Sequence, residues 1–269
     1  MHAREFTFTD QDFQSIRSLI HRHAGIVLGD SKQELVYSRL ARRLRATGIR
    51  SFGEYLHYLQ QPGHEEEWQA FVNALTTNLT SFFREAHHFK LLADHLRPLG
   101  RGRPLYLWCS ACSTGEEAYS MAMTVVETFG GFDHPVRIIA SDLDSHVLAQ
   151  ARAGRYKGEV VRKLGAERMN AFFVPDSGDH YRVRPELQRC IEFRQINLLD
   201  ARYPIADKLD AIFCRNVMIY FDKPTQLEIL KKFVPLLHAH GLLFAGHSES
   251  FYHAVAYFRL RGQTVYELA

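Results

Sequence analysis

Leu105–Tyr119 reads LYLWCSACSTGEEAY, and the order of its parts decides the fold. Leu105, Tyr106, Leu107 and Trp108 form a continuous apolar run, the pattern of a strand covered on both faces. Ser110, Ala111, Ser113 and Gly115 follow as a turn of small residues in which backbone can approach a ligand closely. Glu116 and Glu117 then open a helix. Strand, small turn and helix in this order are how a Rossmann-like α/β fold receives a nucleotide-bearing cofactor. A diphosphate-binding loop keeps its helix N-terminus free for anionic oxygens, so two glutamates there disfavour a dinucleotide. A cofactor with a cationic centre or ribose hydroxyls fits better.

The next strand, VRIIAS, runs into Asp142, about 27 residues after Gly115. An acid there can accept both ribose hydroxyls. It can equally be a helix N-cap, because Asp142 and Asp144 precede the helical SHVLAQARAG; the small-residue loop upstream tips the reading toward cofactor binding. NAD enzymes and S-adenosylmethionine-dependent methyltransferases share this order of elements. A NAD site needs G-x-G-x-x-G for close approach of the pyrophosphate, whereas only Gly115 is present, which favours the methyl donor. Further along, Asn197 and Leu198 follow a predicted strand and offer groups for an adenine edge. Arg215 and Asn216 follow the strand LDAIF, at the carboxyl edge where α/β sheets bind ligands; they can also serve to satisfy loop carbonyls.

The chain has 269 residues, 46% of them apolar, enough for one large domain or two modest ones. No apolar run approaches the roughly 18 residues of a membrane span, and MHAREFTFTDQD lacks a signal peptide's apolar segment, so a cytoplasmic protein is expected. The four cysteines read as reduced. A net charge of +3 is only mildly basic.

Residues 1–90 read as a helical domain. Thr9–Asp12, Ser31–Glu34 and Ser51–Glu54 fit the capping-box pattern. Phe13, Ile16, Ile20 and Val27 recur with helical period, as do Trp68, Phe71, Val72 and Leu75. The second helix, SKQELVYSRLARRLRA, sets Tyr37, Leu40 and Leu44 on one side and Lys32, Arg39, Arg42 and Arg43 on the other. That basic face is either a solvated surface or a dock for an acidic partner. LRPLGRGRPL reads as a linker, and residues 91–269 as an α/β domain with a mostly parallel sheet. Its strands are expected at 105–109, 136–141, 191–196, 209–214, 242–246, 258–260 and 264–268. VPDSGDHYRVRPELQRCIEF suits an antiparallel β-insertion, about 172–195, better than a crossover helix.

Six segments together resemble the chemotaxis receptor methyltransferase family, CheR. They are TTNLTSFFREAHHF (76–89), LWCSACSTGEEAYSMAM (107–123), ASDLDSHVLAQARAGRY (140–156), INLLD (196–200), LDAIFCRNVMIYFDK (209–223) and GLLFAGHSESF (241–251). The resemblance implies methylation of receptor glutamates with S-adenosyl-L-methionine, giving S-adenosyl-L-homocysteine. It assigns Asn78, Thr80 and Arg84 to the cofactor, Glu117 and Asp142 to its amino and ribose groups, and Asn197, Leu198, Arg215 and Asn216 to its adenine side and pocket wall. Tyr220 would stand near the transferred methyl, with Arg84 and Arg215 as further orienting candidates. The partners implied are cytoplasmic helical domains of chemoreceptors, docked on the Lys32, Arg39, Arg42 and Arg43 face by a monomeric enzyme that neither inserts in the membrane nor binds nucleic acid. Some members hold a receptor's C-terminal tether on the β-subdomain; the turn VPDSGDHY looks shorter than theirs, which argues against tether dependence.

Other patterns carry less. Cys109 and Cys112 have C-x-x-C spacing but no second pair at metal-ligand spacing, so no metal is expected. GHSES at 246–250 ends in Ser where a nucleophile elbow has Gly. His87 and His88 read as packing or surface residues. A nucleic-acid methyltransferase and a non-catalytic receptor-binding module remain as alternatives. The first lacks an aromatic base-stacking segment beside the loop; the second runs against the intact motifs from Asn78 to Asn216.

Overall fold

Among the described residues, two of the four N-terminal helices begin where a polar side chain satisfies a first-turn N–H group. In the computed structural model, which describes residues 4–100 and 103–269, Thr9 caps α1 (Asp10–Ala24) through a reciprocal box with Asp12, and Gly25 ends it at φ 70°. The start of the MHAREFTFTDQD segment, Met1–Ala3, lies outside the described residues. The Ser31 box does not form. Asp30–Lys32 is a 3₁₀ turn, and α2 (Gln33–Thr47) starts after Lys32 without a side-chain cap. Ser51 accepts from the Glu54 N–H at the start of α3 (Phe52–Leu59), as the pattern predicts, and α4 (Glu65–Leu75) follows. Phe13, Ile16, Ile20, Leu40, Leu44, Tyr55, Phe71 and Val72 are buried as their core. Val27 is not part of it: α1 stops at Ala24, and Val27 is exposed.

This first unit comprises residues 1–77, together with Tyr220–Thr225. Within it the Val27 N–H donates to the Tyr220 carbonyl at 2.8 Å, and His21 Nε2 lies 3.2 Å from Asp222 Oδ2.

The second unit spans Asn78–Ile219 and Gln226–Ala269. It therefore begins ahead of the boundary expected near residue 90. The reason is α5 (His87–Leu99), whose Phe89, Leu92 and Leu96 belong to the core of the sheet. LRPLGRGRPL joins α5 to the first strand inside this unit and so does not link two domains; its Arg101 and Gly102 lie outside the described residues.

The main sheet is built from β1 (Leu105–Cys109), β2 (Val136–Asp142), β6 (Ile191–Gln195), β7 (Leu209–Cys214), β8 (Leu237–Ala245), β9 (Phe258–Gly262) and β10 (Val265–Leu268). Its order is β6-β2-β1-β7-β8-β10-β9. The first five are mutually parallel, while β10 pairs antiparallel with both β8 and β9. α6 (Glu116–Phe129), α7 (Ser145–Ala153) and α11 (Lys223–Phe233) connect the parallel strands. β8 starts earlier than its apolar run because a register shift between Leu209 and Ala211 accommodates the polar LHAHG. Gly241 sits there, where a Cβ would lie 2.9 Å from the Leu209 carbonyl oxygen.

The insertion is a three-stranded antiparallel sheet, order β3-β5-β4, from β3 (Arg155–Lys157), β4 (Phe173–Asp176) and β5 (His180–Val183). α8 (Gly158–Val161) and α9 (Ala166–Phe172) separate β3 from β4, and α10 (Pro185–Gln188) leads back to the main sheet. Its extent thus differs from the expected 172–195. Arg155–Lys157, only three residues long and polar at both ends, gives no strand signal of its own, and Ile191–Gln195 pairs with β2 instead. Ser177, Gly178 and Asp179 make the β4–β5 turn, the last two at φ 65° and 52°. Among the described residues no helix is long and apolar enough to cross a membrane.

Candidate functional site

The carboxyl ends of β1, β2, β6 and β7 carry most of the residues singled out by sequence. At the tip of β2 the half-buried Asp142 accepts from the Ser113 N–H at 2.8 Å and the Asp144 N–H at 3.0 Å, one on each carboxylate oxygen. The N-cap reading of the acidic pair is met by one of its members. Asp144 is the N-cap, accepting from the His146 and Val147 N–H groups, which leaves Asp142 at the mouth of the loop. Burial pushes the Asp142 carboxyl up to about 6, against the lowering effect of its N–H donors.

The turn itself is tightly specified. Ser113 has φ 49° and Gly115 φ 100°. A Cβ on Gly115 would lie 2.8 Å from the Tyr156 hydroxyl and 2.9 Å from the Ala151 Cβ, so glycine serves both the turn and the approach of α7. Asn78 closes this corner, a contact with no signal in local sequence: its Nδ2 donates to Asp144 Oδ2 and its carbonyl accepts from Ser113 Oγ, each at 2.8 Å. Thr80 is half-buried two residues on, and the Arg84 guanidinium donates to the Leu79 carbonyl at 3.1 Å.

Glu117, on the first turn of α6, is buried. Its carboxylate accepts from Arg215 Nη1 at 2.7 Å and from the Cys109 thiol at 3.2 Å. Burial raises its carboxyl, and the Arg215 charge opposes that rise. Arg215 is buried as well; its Nη2 donates to the Arg84 carbonyl at 2.5 Å and lies 3.1 Å from Glu85 Oε2. Glu85 also holds His247 at 3.1 Å. Although burial opposes it, these partners bring its carboxyl down to about 2. Ser248 Oγ, His247 Nε2 and Glu85 thus connect in the order of a hydrolase triad. His247, however, is largely exposed, and Glu85 is already compensated by Arg215, so the relay straps the Arg84–Glu85 segment rather than activating a serine.

Asn197 and Leu198 follow β6, tied to the tip of β2 by the Ile196 N–H donating to the Asp142 carbonyl at 3.2 Å. Asn197 Oδ1 accepts from the Leu199 N–H, and the buried Leu198 lends its carbonyl to Tyr203 and Lys232. Asn216 stands at φ 58° just past β7. Its N–H donates to Glu249, a residue the sequence reading passed over. Tyr220 falls with the helical unit.

The basic face of α2 divides. Arg39 donates to the carbonyls of Ala74, Leu75 and Thr76 at the end of α4, and Arg43 pairs with Glu67, which also accepts from Tyr55. These two arginines hold α4 to α2. Lys32 and Arg42 are exposed. All four cysteines are free and buried, and burial raises the thiols of Cys109 and Cys112. Among the described residues no group of three or more His, Cys, Asp or Glu side chains is placed to hold a metal.

With that geometry established, comparison with known proteins is direct. Residues 78–267 match the family model described as CheR methyltransferase, SAM binding domain, and residues 11–76 match CheR methyltransferase, all-alpha domain. The two matches meet where the two structural units divide. The chain is 52% identical to the chemotaxis protein methyltransferase of Escherichia coli, over 99% of this chain and 94% of that protein. It is 55% identical to chemotaxis protein methyltransferase 2 of Pseudomonas aeruginosa, over 99% and 96%. Among solved structures, PKMT2 from Rickettsia typhi in complex with AdoHcy is similar at 17% identity and a TM-score of 0.33, covering 56% of this chain and 24% of that one.

Proposed function

The chain belongs to the CheR methyltransferase family, and from that premise we propose that it esterifies glutamate side chains on the cytoplasmic helical domains of chemoreceptors. It is an S-adenosylmethionine-dependent methyltransferase of chemotaxis; the glutamate acceptor and the cytoplasmic location are the proposal. One observation supports the cofactor side of this reading: the carboxyl edge of the sheet gathers Glu116, Glu117, Asp142 and Asp144 around a turn of small residues.

That donor set fits the cofactor on its chemistry. Carboxylates suit an amino group, a sulfonium and a ribose diol, and they repel the phosphates of a dinucleotide. Asp142 would take the ribose hydroxyls, each oxygen keeping a lone pair beyond its N–H bond. Glu117 would take the amino group, its ionised form supported by Arg215. Asn78, Thr80 and Arg84 would complete that side, while Asn197, Leu198, Arg215 and Asn216 would form the adenine side and the pocket wall. When bound, the cofactor supplies an electrophilic methyl group to an oxygen nucleophile.

A glutamate side chain, with an ordinary pKa near ~4.3, is ionised at neutral pH and needs no general base. The protein's task is to orient the carboxylate and exclude water, and approach geometry supplies most of the acceleration. Tyr220 is the first choice for that orientation, because strong pairing of an arginine with the nucleophile would retard attack. Lys32 and Arg42 would meet acidic receptor helices, with Arg39 and Arg43 keeping α2 in place. Charge reversal at Lys32 and Arg42 should raise the KM for receptor and flatten its salt dependence.

The deciding experiment incubates the protein with methyl-labelled S-adenosylmethionine and receptor cytoplasmic fragments, then releases label as methanol in mild alkali. Alkali-labile label on glutamate supports the reading. Cofactor binding with no receptor labelled would move a different acceptor or a non-catalytic docking role ahead. Unchanged turnover in Tyr220→Phe would remove Tyr220 from the reaction.

A further inference from the structure

β8 ends at Ala245, and the chain turns at once, the Glu249 N–H donating back to the Gly246 carbonyl at 2.9 Å. This turn brings Glu249 inward, and the side chain is buried. Its carboxylate accepts four backbone N–H groups. Oε2 takes those of Gly246 at 2.5 Å and Asn216 at 2.9 Å; Oε1 takes those of Val217 at 3.0 Å and Met218 at 2.8 Å. Among the described residues no cationic side chain lies within ion-pair distance of it. The charge is met by converging backbone dipoles, an anion nest whose anion comes from the chain itself.

Three of those donors are consecutive, and the first belongs to Asn216, in the left-handed region at φ 58°. A side-chain-bearing residue stays there only if its surroundings over-determine it. A second feature acts on the same residue. Gly246 lacks a Cβ, and one built there would press on the amide end of Asn216 and lie 2.9 Å from Glu249 Oε2. Gly246 and Glu249 therefore enclose Asn216 from one turn, the glycine making room and the carboxylate fixing its backbone.

We infer that Glu249 is a positioning residue that sets the conformation of the 215–218 loop and so presents Asn216 to the cofactor. The inference rests on the reading above only in taking Asn216 as part of the pocket wall. Glu249 has no part in the methyl transfer itself.

The test is Glu249→Gln in the full-length protein, which keeps the shape but replaces one acceptor with a donor facing backbone N–H groups. Three readouts are taken: S-adenosylhomocysteine affinity by calorimetry, KM for S-adenosylmethionine and for receptor fragment separately, and far-UV circular dichroism. Affinity should weaken by about tenfold or more, as for loss of a charge-assisted bond, with KM for receptor unchanged and the fold retained. In a cycle with Asn216→Ala, the double variant should bind no more weakly than the worse single variant. Wild-type affinity in Glu249→Gln, or strictly additive losses in the cycle, would overturn the assignment. If Glu249→Gln does not fold, Gly246→Ala is read instead: weakened binding by the folded protein supports the assignment, and unaltered binding overturns it. Because product affinity is measured without receptor, a wild-type protein that binds S-adenosylhomocysteine but labels no receptor would sink the acceptor proposal and leave this one standing.

Discussion

The two ends of the parallel sheet use buried carboxylates in opposite ways. At the amino edge Asp210, fully buried near the start of β7, accepts from the Tyr106 N–H at 2.9 Å, pairs with Arg103, and meets His240 Nε2 at 3.0 Å. His95 donates to its carbonyl at 3.1 Å. Although burial opposes it, these donors, led by Arg103, hold its carboxyl below the ordinary range. One side chain thereby binds the start of β7 to the segment before β1 and to β8. At the carboxyl edge Glu117, Arg215 and Glu85 are also paired, yet Glu85 Oε2 and Arg215 Nε lack a well-aligned hydrogen bond. Asp142 there is pushed up rather than down, and Phe83, Glu85, Ser113 and Asn216 are left-handed. The same residue types close one edge and leave the other strained and incompletely satisfied, which is the condition of a binding edge.

Breaking each edge in turn should separate stability from binding. The largest effect is expected from Arg215→Leu, which strands two carboxylates and should cost about 3–5 kcal/mol in urea unfolding along with methyl transfer. A loss under about 1 kcal/mol would mean that Glu117 folds neutral. Asp210→Ala should cost about 2–4 kcal/mol by the same measurement, through the orphaned Tyr106 N–H and Arg103. Its folded fraction should still bind S-adenosylhomocysteine as the wild type does. A parallel loss of affinity would show that the two edges are coupled.

Asp142→Asn should reverse that pattern, with affinity reduced about tenfold, near 1.4 kcal/mol, and little change in melting temperature. Its pH dependence sharpens the contrast. With its folded pKa raised to about 6, Asp142 favours the free folded state at low pH, and that contribution is lost as pH rises through about 6. Ribose hydroxyls need the ionised acceptor, so wild-type affinity should fall as pH drops through about 6 while Asp142→Asn stays flat. The smallest effect belongs to His240→Ala. It removes one of several donors to Asp210 and should cost about 0.5–1.5 kcal/mol without altering binding.

How legible each part was depends on the range of the forces that form it. β1 and β7 match the strands expected of them residue for residue, because strands buried on both faces need mostly hydrophobic sequence, broken in β7 only by the paired Asp210. β8 extends five residues earlier than expected, and β3 gives no signal, because both owe their pairing to a partner strand rather than to their own side chains. At the site, Asp142 and Arg215 stand out as polar residues at strand ends, and Glu117 as an acid in the first turn of a helix. Glu249 and Glu85 do not: each is an acid in a polar loop until the fold brings it to Asn216 or to Arg215.

Taken alone, the amino-acid sequence determined the α/β class, the turn of small residues, the acid after β2 and the family to which the chain belongs. The first three lie in local order and hydrophobic period, which act over a few residues, and the family in the resemblance of six motifs spread along the chain. Only the tertiary structure decided that Arg39 and Arg43 cap and pair with α4 while Lys32 and Arg42 face outward, that Asp144 rather than Asp142 caps α7, and that Glu249 gathers four N–H groups. Burial and hydrogen bonding between segments far apart in the chain give a charged side chain its role, and neither is written in the residues beside it.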